Sequence, residues 1–146
     1  MKKILIFLFF GLTFSYNPSN AVNYAKKYCN NYNPNYNNYK GTEKEETANF
    51  VSQCISVGGG QDFTGCEGLD DKGMFTKVSD LKNCLILKGW KNRGSIIKRG
   101  FPAFLKTGYH VFLLTELDIV GPRYCSHDPD RCAALAKIRS LEIYTP

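Results

Sequence analysis

The chain has 146 residues, of which 43% are hydrophobic, 14% aromatic and 22% charged, and its formal net charge is +6. This length fits a single domain, and the aromatic content excludes a wholly disordered chain, which could not offset its ordering entropy by burial. The positive charge is too small to indicate a nucleic-acid partner, because a modest surplus of lysine is typical of a solvated surface.

The N-terminus has the pattern of a secretory signal peptide. Lys2 and Lys3 form a basic start, residues 4–12 are an apolar run, and Thr13 and Ser15 offer small side chains at alternate positions for cleavage. The run is shorter than the roughly 20 residues that a bilayer span needs, so no stable membrane anchor is expected. We predict a signal peptide over residues 1–15, one domain over residues 16–146, and a protein secreted to the extracellular space or the secretory lumen.

All six cysteines follow this leader, and in a secreted chain they are candidates for disulfide bonds. They are Cys29, Cys54, Cys66, Cys84, Cys125 and Cys132. Many pairings are possible, and the sequence leaves the choice among them open. A zinc site is the weaker interpretation, because no C-x-x-C pair exists and His110 and His127 are too far apart for the usual ligand spacing. No metal and no cofactor are expected.

The first predicted helix covers residues 20–28, and Ser19 is its predicted cap. Side chains that can pack recur along one face at spacings of three and four: Ala21, Tyr24, Ala25 and Tyr28. The tract that follows, residues 29–40, is rich in asparagine and tyrosine. Asparagine accepts turn conformations and tyrosine can anchor a loop, which favours an ordered loop, with a disordered low-complexity spacer as the alternative.

A second predicted helix begins at a capping box made by Thr42 and Glu45, runs to about Val57, and ends at three glycines. Its buried side is expected to hold Ala48, Phe50, Val51, Cys54 and Ile55.

A glycine-rich and acidic loop follows over residues 61–78, and Cys66 is expected to tie it down. A third helix is predicted over residues 80–88, with Ser79 as its cap. It is expected to bury Leu81, Cys84, Leu85 and either Leu87 or Lys88.

Beyond Gly89 the pattern becomes that of strands. Short apolar runs at residues 101–105, 110–117 and 138–144 are separated by turn signals. Helices followed by strands predict an α+β fold, in which N-terminal helices pack on a small antiparallel sheet.

Several short runs carry a family resemblance. They are residues 16–25, residues 33–36, residues 46–54, residues 89–91, His110, Ser126 with His127, and Asp130 with Arg131. Together they resemble the putative amidase domain family, which belongs with the papain-like amidases and peptidases of the NlpC/P60 and CHAP types. The most specific run is Asn-Phe-Val-Ser-Gln-Cys at residues 49–54, followed later by a histidine that begins a strand. The resemblance implies a papain-like single domain and cleavage of amide bonds.

The resemblance also implies catalytic positions: Thr47 for the nucleophile, His110 for the general base, and His127 or Asp128 for an orienting group. The family uses a cysteine thiolate, whereas an imidazole cannot store a threonine hydroxyl as an anion. Threonine nucleophiles borrow their own N-terminal amine, which Thr47 lacks. We therefore predict that Thr47 stands at an inactive nucleophile position. The structural alternative for His110 is a half-buried histidine bonded to the backbone.

Two further features weigh on this interpretation. The predicted cap at Thr42 places Thr47 in the second helical turn, away from the strongest part of the helix dipole. Cys54 lies about 10.5 Å farther along the same helix, so it cannot replace the nucleophile and has a packing or disulfide role.

Candidate substrate-binding residues are Tyr36, Asn49 and Trp90, as the resemblance implies. Trp90 lies among basic residues that could hold an anionic glycan or peptide. The alternative is a solvated linker with one buried tryptophan. Asp130 and Arg131 also match the family, with a surface turn as the alternative.

Three functions remain open from the sequence. The favoured one is a secreted pseudoenzyme that keeps the fold and binds cell-wall peptides or another extracellular partner. The second is an active amidase or endopeptidase acting on peptidoglycan, and the third is a disulfide-stapled extracellular structural protein. The expected partner is peptidoglycan or a peptide-like ligand, with no nucleic acid. The oligomeric state is left open.

Overall fold

The computed structural model describes residues 15–137 and 140–146. Apart from Ser15, the predicted signal peptide lies outside the described residues, as do residues 138 and 139 of the last predicted strand. Over the described ranges the chain forms three α-helices and a six-stranded antiparallel sheet, which confirms the predicted α+β class. None of the helices in that part of the chain is long and apolar enough to cross a bilayer.

The helices precede the strands. Helix α1 is Pro18–Tyr28, α2 is Glu46–Gln53 and continues as a π-helical turn at Cys54–Gly58, and α3 is Val78–Leu87. The strands are β1 (Lys91–Asn92), β2 (Pro102–Leu105), β3 (Val111–Leu117), β4 (Pro122–Ser126), β5 (Arg131–Leu135) and β6 (Leu141–Thr145). Their order across the sheet is β1-β6-β2-β3-β4-β5, with every neighbouring pair antiparallel.

The predicted start of α1 was wrong by two residues. Asn17, not Ser19, is the cap: its side-chain oxygen accepts a hydrogen bond from Asn20 N at 3.0 Å. Pro18 then occupies the first helical position, where its missing N–H costs nothing and its fixed φ suits a helix.

The predicted caps of α2 and α3 were also wrong. The Thr42 hydroxyl donates to Tyr39 O at 2.8 Å and closes a local turn, so α2 begins only at Glu46. The Glu45 carboxylate accepts from Val78 N, the first amide of α3, and takes the role predicted for Ser79. Glu45 thus joins the starts of two helices.

Apolar side chains cover both faces of the sheet. Along β3, Val111 and Leu113 face the helices, whereas Phe112 and Leu114 belong to a second cluster on the opposite face. The predicted buried side of α2 is confirmed, since Ala48, Phe50, Val51, Cys54 and Ile55 are all fully buried. In α3, Leu87 is 68% exposed and Lys88 is half-buried, so Leu87 was the wrong candidate for the last packed position and Lys88 packs there only in part.

Two glycines allow α1 to approach the end of α2. A Cβ on Gly58 would lie 2.7 Å from Tyr24 Cβ, and one on Gly59 would lie 2.1 Å from the Tyr16 ring. The glycines therefore end the helix, as predicted, and also provide the space in which α1 packs. This contact holds the C-terminal end of α2 against α1.

Candidate functional site

Thr47 lies in the first turn of α2 and is 6% exposed. Its hydroxyl donates to Val111 O at 2.6 Å and accepts from Val111 N at 3.0 Å. The later helix start places Thr47 at the positive end of the dipole, where the family's nucleophile would benefit, and not in the second turn as predicted. A hydroxyl has one hydrogen, and here that hydrogen is already bonded to the backbone.

The position of this contact in the sheet shows which structural role the Thr47 hydroxyl has. Strand β3 pairs with β4 through Leu113 and Cys125, and two residues further the same register would bring Val111 opposite His127. The ladder stops before that point, and the Thr47 hydroxyl bonds the two main-chain groups of Val111 instead. Buried main-chain groups must find partners, so Thr47 closes the open end of the sheet.

His110 lies just before β3 and is half-buried. It lines a cavity of about 230 Å³ together with Phe112, Tyr124 and Lys137, and its ring centroid is 6.3 Å from that of Phe112. Burial lowers the pKa of His110 below its usual 6.5, and the nearby Asp128 carboxylate opposes this shift. Phe112 belongs to the outer cluster, so His110 borders the face of the sheet away from the helices.

His127 is the most enclosed of the predicted catalytic residues, at 1% exposed. Its ring is stacked between Phe50 and Tyr32, with centroid distances of 3.9 and 4.0 Å. Nδ1 lies 2.9 Å from Glu46 Oε1, and Nε2 lies 2.7 Å from Tyr28 O. Because the carbonyl can only accept, Nε2 carries a hydrogen, and one more proton lies between Nδ1 and the carboxyl group.

Both ring nitrogens of His127 are therefore occupied, and neither is available to orient His110. Asp128, the residue after His127, is exposed and acts on His110 through its charge. Across the described ranges, no hydrogen bond joins Thr47 to His110 or His110 to His127. The structure thus brings Thr47, His110 and His127 to one end of the sheet without linking them as a triad.

Glu46 is the residue that sequence reasoning missed. It is fully buried, its Oε1 contacts His127, and its Oε2 accepts from Tyr39 N at 2.7 Å. A glutamate immediately before the nucleophile position was visible in the sequence, but the prediction of a cap at Thr42 placed it in an ordinary helical turn. The buried pair fastens α2 to the asparagine-rich loop and to the end of β4.

That loop is ordered, as favoured, because side chains bond it to the domain. The Tyr32 hydroxyl donates to Asp130 Oδ1 at 2.9 Å, and Lys40 Nζ lies 2.9 Å from Asp130 Oδ2. Burial alone would raise the pKa of Asp130, but these two partners outweigh it and the pKa is lowered. Arg131 is exposed beside it. Asp130 therefore connects the loop to the turn after β4 through these two contacts.

The predicted substrate-binding residues are placed differently from one another. Tyr36 is half-buried on the loop surface. Trp90 is 3% exposed and its indole N–H donates to Gln61 Oε1 at 2.9 Å, so it lies in the core rather than at a binding surface. Asn49 is fully buried, and its Oδ1 accepts from Gln53 Nε2 at 2.6 Å. Of the three, Tyr36 alone keeps exposed surface for a ligand.

Four of the six cysteines form disulfides: Cys29 with Cys132, and Cys66 with Cys84. The second bond ties down the loop after α2, as expected for Cys66. Cys54 and Cys125 are free and buried, and burial raises the pKa of both thiols. Protonated, enclosed thiols are poor nucleophiles, so neither supplies the missing thiolate. In the described part of the chain, no cluster of histidine, cysteine and acidic side chains could hold a metal ion.

The sequence was also compared with known proteins. The family described as "Putative amidase domain" matches residues 15–95, which is more than half of the chain and includes Thr47 but not His110. A stretch of 50 residues is 42% identical to the uncharacterized protein YhbB of Bacillus subtilis (strain 168), and covers 34% of this chain and 15% of that protein. No solved structure matches.

Proposed function

Because the chain belongs to the putative amidase domain family, we propose that it is a secreted, papain-like pseudoenzyme that binds cell-wall peptides without cleaving them. One observation carries the proposal: the Thr47 hydroxyl is bonded through both its hydrogen and its oxygen to Val111. An attacking oxygen needs a base that takes its proton, and here the proton points at a carbonyl.

The histidine geometry also supports this proposal. His110 would have to reach the Thr47 hydroxyl to act as a base, but it borders a cavity on the outer face of the sheet. His127 is enclosed between two rings and bonded at both nitrogens. With Cys54 and Cys125 buried, the described residues offer no activated thiol either.

The ligand class is proposed from the resemblance to papain-like amidases, which implies peptide amides, and the matched family is described as a putative amidase domain. Tyr36 is the candidate contact, because its ring keeps exposed surface on the loop beside α2. Aromatic rings bind sugars and peptide groups through their faces, and each contact contributes a modest part of the affinity.

The test combines an activity assay and a binding assay. Purified peptidoglycan and isolated muropeptides should release no new amine groups with the natural chain. Calorimetry should still detect muropeptide binding, unchanged in Thr47→Ser and about tenfold weaker in Tyr36→Ala. Tyr109→Ala is the matched control, because Tyr109 is 78% exposed at the turn before β3.

Two results would overturn the proposal. Amine release that disappears in both Thr47→Val and His110→Gln would establish an active amidase with Thr47 as nucleophile. Absence of muropeptide binding in the natural chain would remove the ligand and leave only a structural role.

A further inference from the structure

A cavity of about 230 Å³ lies on the face of the sheet away from the helices. Its lining comes from four neighbouring strands, β2 to β5, and from the residues next to them. Phe112 and Tyr124 form an aromatic wall, with ring centroids 4.3 Å apart. Leu105, Leu135 and Ala136 add aliphatic surface. Apolar side chains gathered around one space are typical of small-molecule sites.

Two polar side chains, His110 and Lys137, complete the lining of this space, which we call the outer cavity. Burial lowers the pKa of His110 below 6.5, so its ring is neutral at pH 7 and can donate or accept a hydrogen bond. Lys137 is exposed and positively charged. No ion pair of the described residues includes either side chain. The outer cavity therefore combines an apolar wall with one cation.

The charge of the outer cavity differs from that of three other surface cavities, each of which has a carboxylate in its lining. These hold Glu43 with Lys44, Asp62 with Lys72, and Glu67 with Asp80. Among the described residues, none that lines the outer cavity carries a carboxylate. Asp128 acts on His110 through its charge without lining the cavity, so an anionic group is favoured at the Lys137 end.

We propose that the outer cavity binds a small aromatic carboxylate. The ligand ring packs against Phe112 and Tyr124, since aromatic rings attract each other in offset and edge-to-face arrangements. The ligand carboxylate pairs with Lys137, and His110 borders the ring. The volume is below the roughly 300–1,000 Å³ of drug-sized sites, which limits the ligand to about one ring with a short side chain. This site does not depend on the proposed function, because Tyr36, the contact proposed there, does not line the cavity.

The two histidines of the chain provide a reporter and its internal control in one NMR experiment. Hydrocinnamate, added to the full chain, should shift the ring signals of His110 in a saturable way, with a Kd of roughly 1 mM for a ligand of this size. The His127 signals should stay in place, because that ring is enclosed between Phe50 and Tyr32. Unchanged His110 signals at roughly 20 mM ligand, or equal shifts of both histidines, would overturn the proposal.

Matched ligands and variants separate the contribution of the ring from that of the charge. Hydrocinnamyl alcohol lacks the carboxylate and should bind about fivefold more weakly than hydrocinnamate, and propionate, which lacks the ring, should show no binding. Lys137→Gln should weaken hydrocinnamate binding about fivefold and leave the alcohol unchanged, whereas Lys77→Gln, at an exposed lysine before α3, should change neither.

A filling variant locates the ligand in the cavity. Ala136→Phe places a ring in the cavity and should abolish the binding of both aromatic ligands, while an unchanged unfolding midpoint shows that the fold is kept. If Ala136→Phe binds hydrocinnamate normally, the ligand lies elsewhere and the proposal fails. Equal effects of Lys137→Gln and Lys77→Gln, or equal affinities for hydrocinnamate and its alcohol, would show that the cavity does not select a carboxylate and would likewise overturn the proposal.

Discussion

Thr47→Val is the substitution that best tests the assignment of Thr47 as a structural contact. Valine has nearly the shape of threonine and the same branching at Cβ, so packing around the first turn of α2 is kept. What is lost is the oxygen that bonds Val111 N and Val111 O at 3.0 and 2.6 Å. Val111 is fully buried and Thr47 is 6% exposed, so water cannot easily replace the hydroxyl.

The expected cost follows from these contacts. A buried main-chain group left without a partner costs about 1–3 kcal/mol, and two such groups remain after the substitution. Allowing for partial relaxation, the free energy of unfolding should fall by about 2–4 kcal/mol, or roughly 6–12 °C in Tm for a domain of this size. Thr47→Ser keeps the hydroxyl and removes one methyl group, which should cost only about 1 kcal/mol.

Urea unfolding followed by circular dichroism and Trp90 fluorescence, with disulfides intact, measures both variants against the natural chain. If valine and serine destabilise equally, to within about 0.5 kcal/mol, the hydroxyl is not held by Val111. It would then be free to attack, and the interpretation of Thr47 as a structural residue would be refuted together with its consequence for catalysis.

Three further predictions concern other titratable side chains of the domain. Cys54 and Cys125 should resist a thiol reagent at pH 8 in the folded protein, because burial raises the pKa of both thiols. Both should react in denaturant. Fast labelling of either thiol in the native state would contradict this prediction. The pKa of His110, measured by NMR, should lie below its usual 6.5 because the ring is partly buried. Its contribution to the free energy of unfolding is then present above pH 6.5 and is lost as the pH falls through the folded-state pKa. A pKa above 6.5 would contradict this prediction. Glu46→Gln should lower the free energy of unfolding by about 3 kcal/mol, because it breaks the buried pair of Glu46 with His127. Glu43→Gln, on the exposed loop, should leave the free energy of unfolding unchanged. Similar unfolding midpoints for the two variants would show that the Glu46 carboxylate contributes little.

The fold class could be predicted because the spacing of apolar residues along a short segment indicates whether that segment is a helix or a strand. The spacing of the apolar residues in α2 identified side chains that are buried, although the whole of α2 is buried, and continuous apolar runs identified β2 and β3. Strands β4 and β5 escaped prediction because they are short and partly polar, and their pairing depends on neighbours distant in sequence. The predicted cap at Ser79 failed for the same reason, since Glu45, more than thirty residues away, bonds Val78 N instead. The predicted cap at Thr42 failed for a local reason, because its hydroxyl bonds Tyr39 O.

The candidate site was harder to predict because its contacts are nearly all long-range. The family resemblance selected Thr47, His110 and His127 by position, and all three lie near the end of β3. The resemblance could not show that His127 stacks between two rings or that its partner is Glu46, since 81 residues separate the pair. Burial, which decides whether such residues bind a ligand or hold the core, becomes visible only in the folded chain.

At residue 47 the structural and catalytic roles exclude each other. Closing the end of β3 requires a group that donates and accepts at once, within reach of both main-chain atoms of Val111. A hydroxyl does this well and a thiol poorly, because S–H is a weak donor and sulfur a weak acceptor. A nucleophile needs the opposite arrangement, with its proton directed at a base and its lone pair free. Threonine at this position therefore favours a closed sheet at the expense of attack, which agrees with the proposed loss of catalysis.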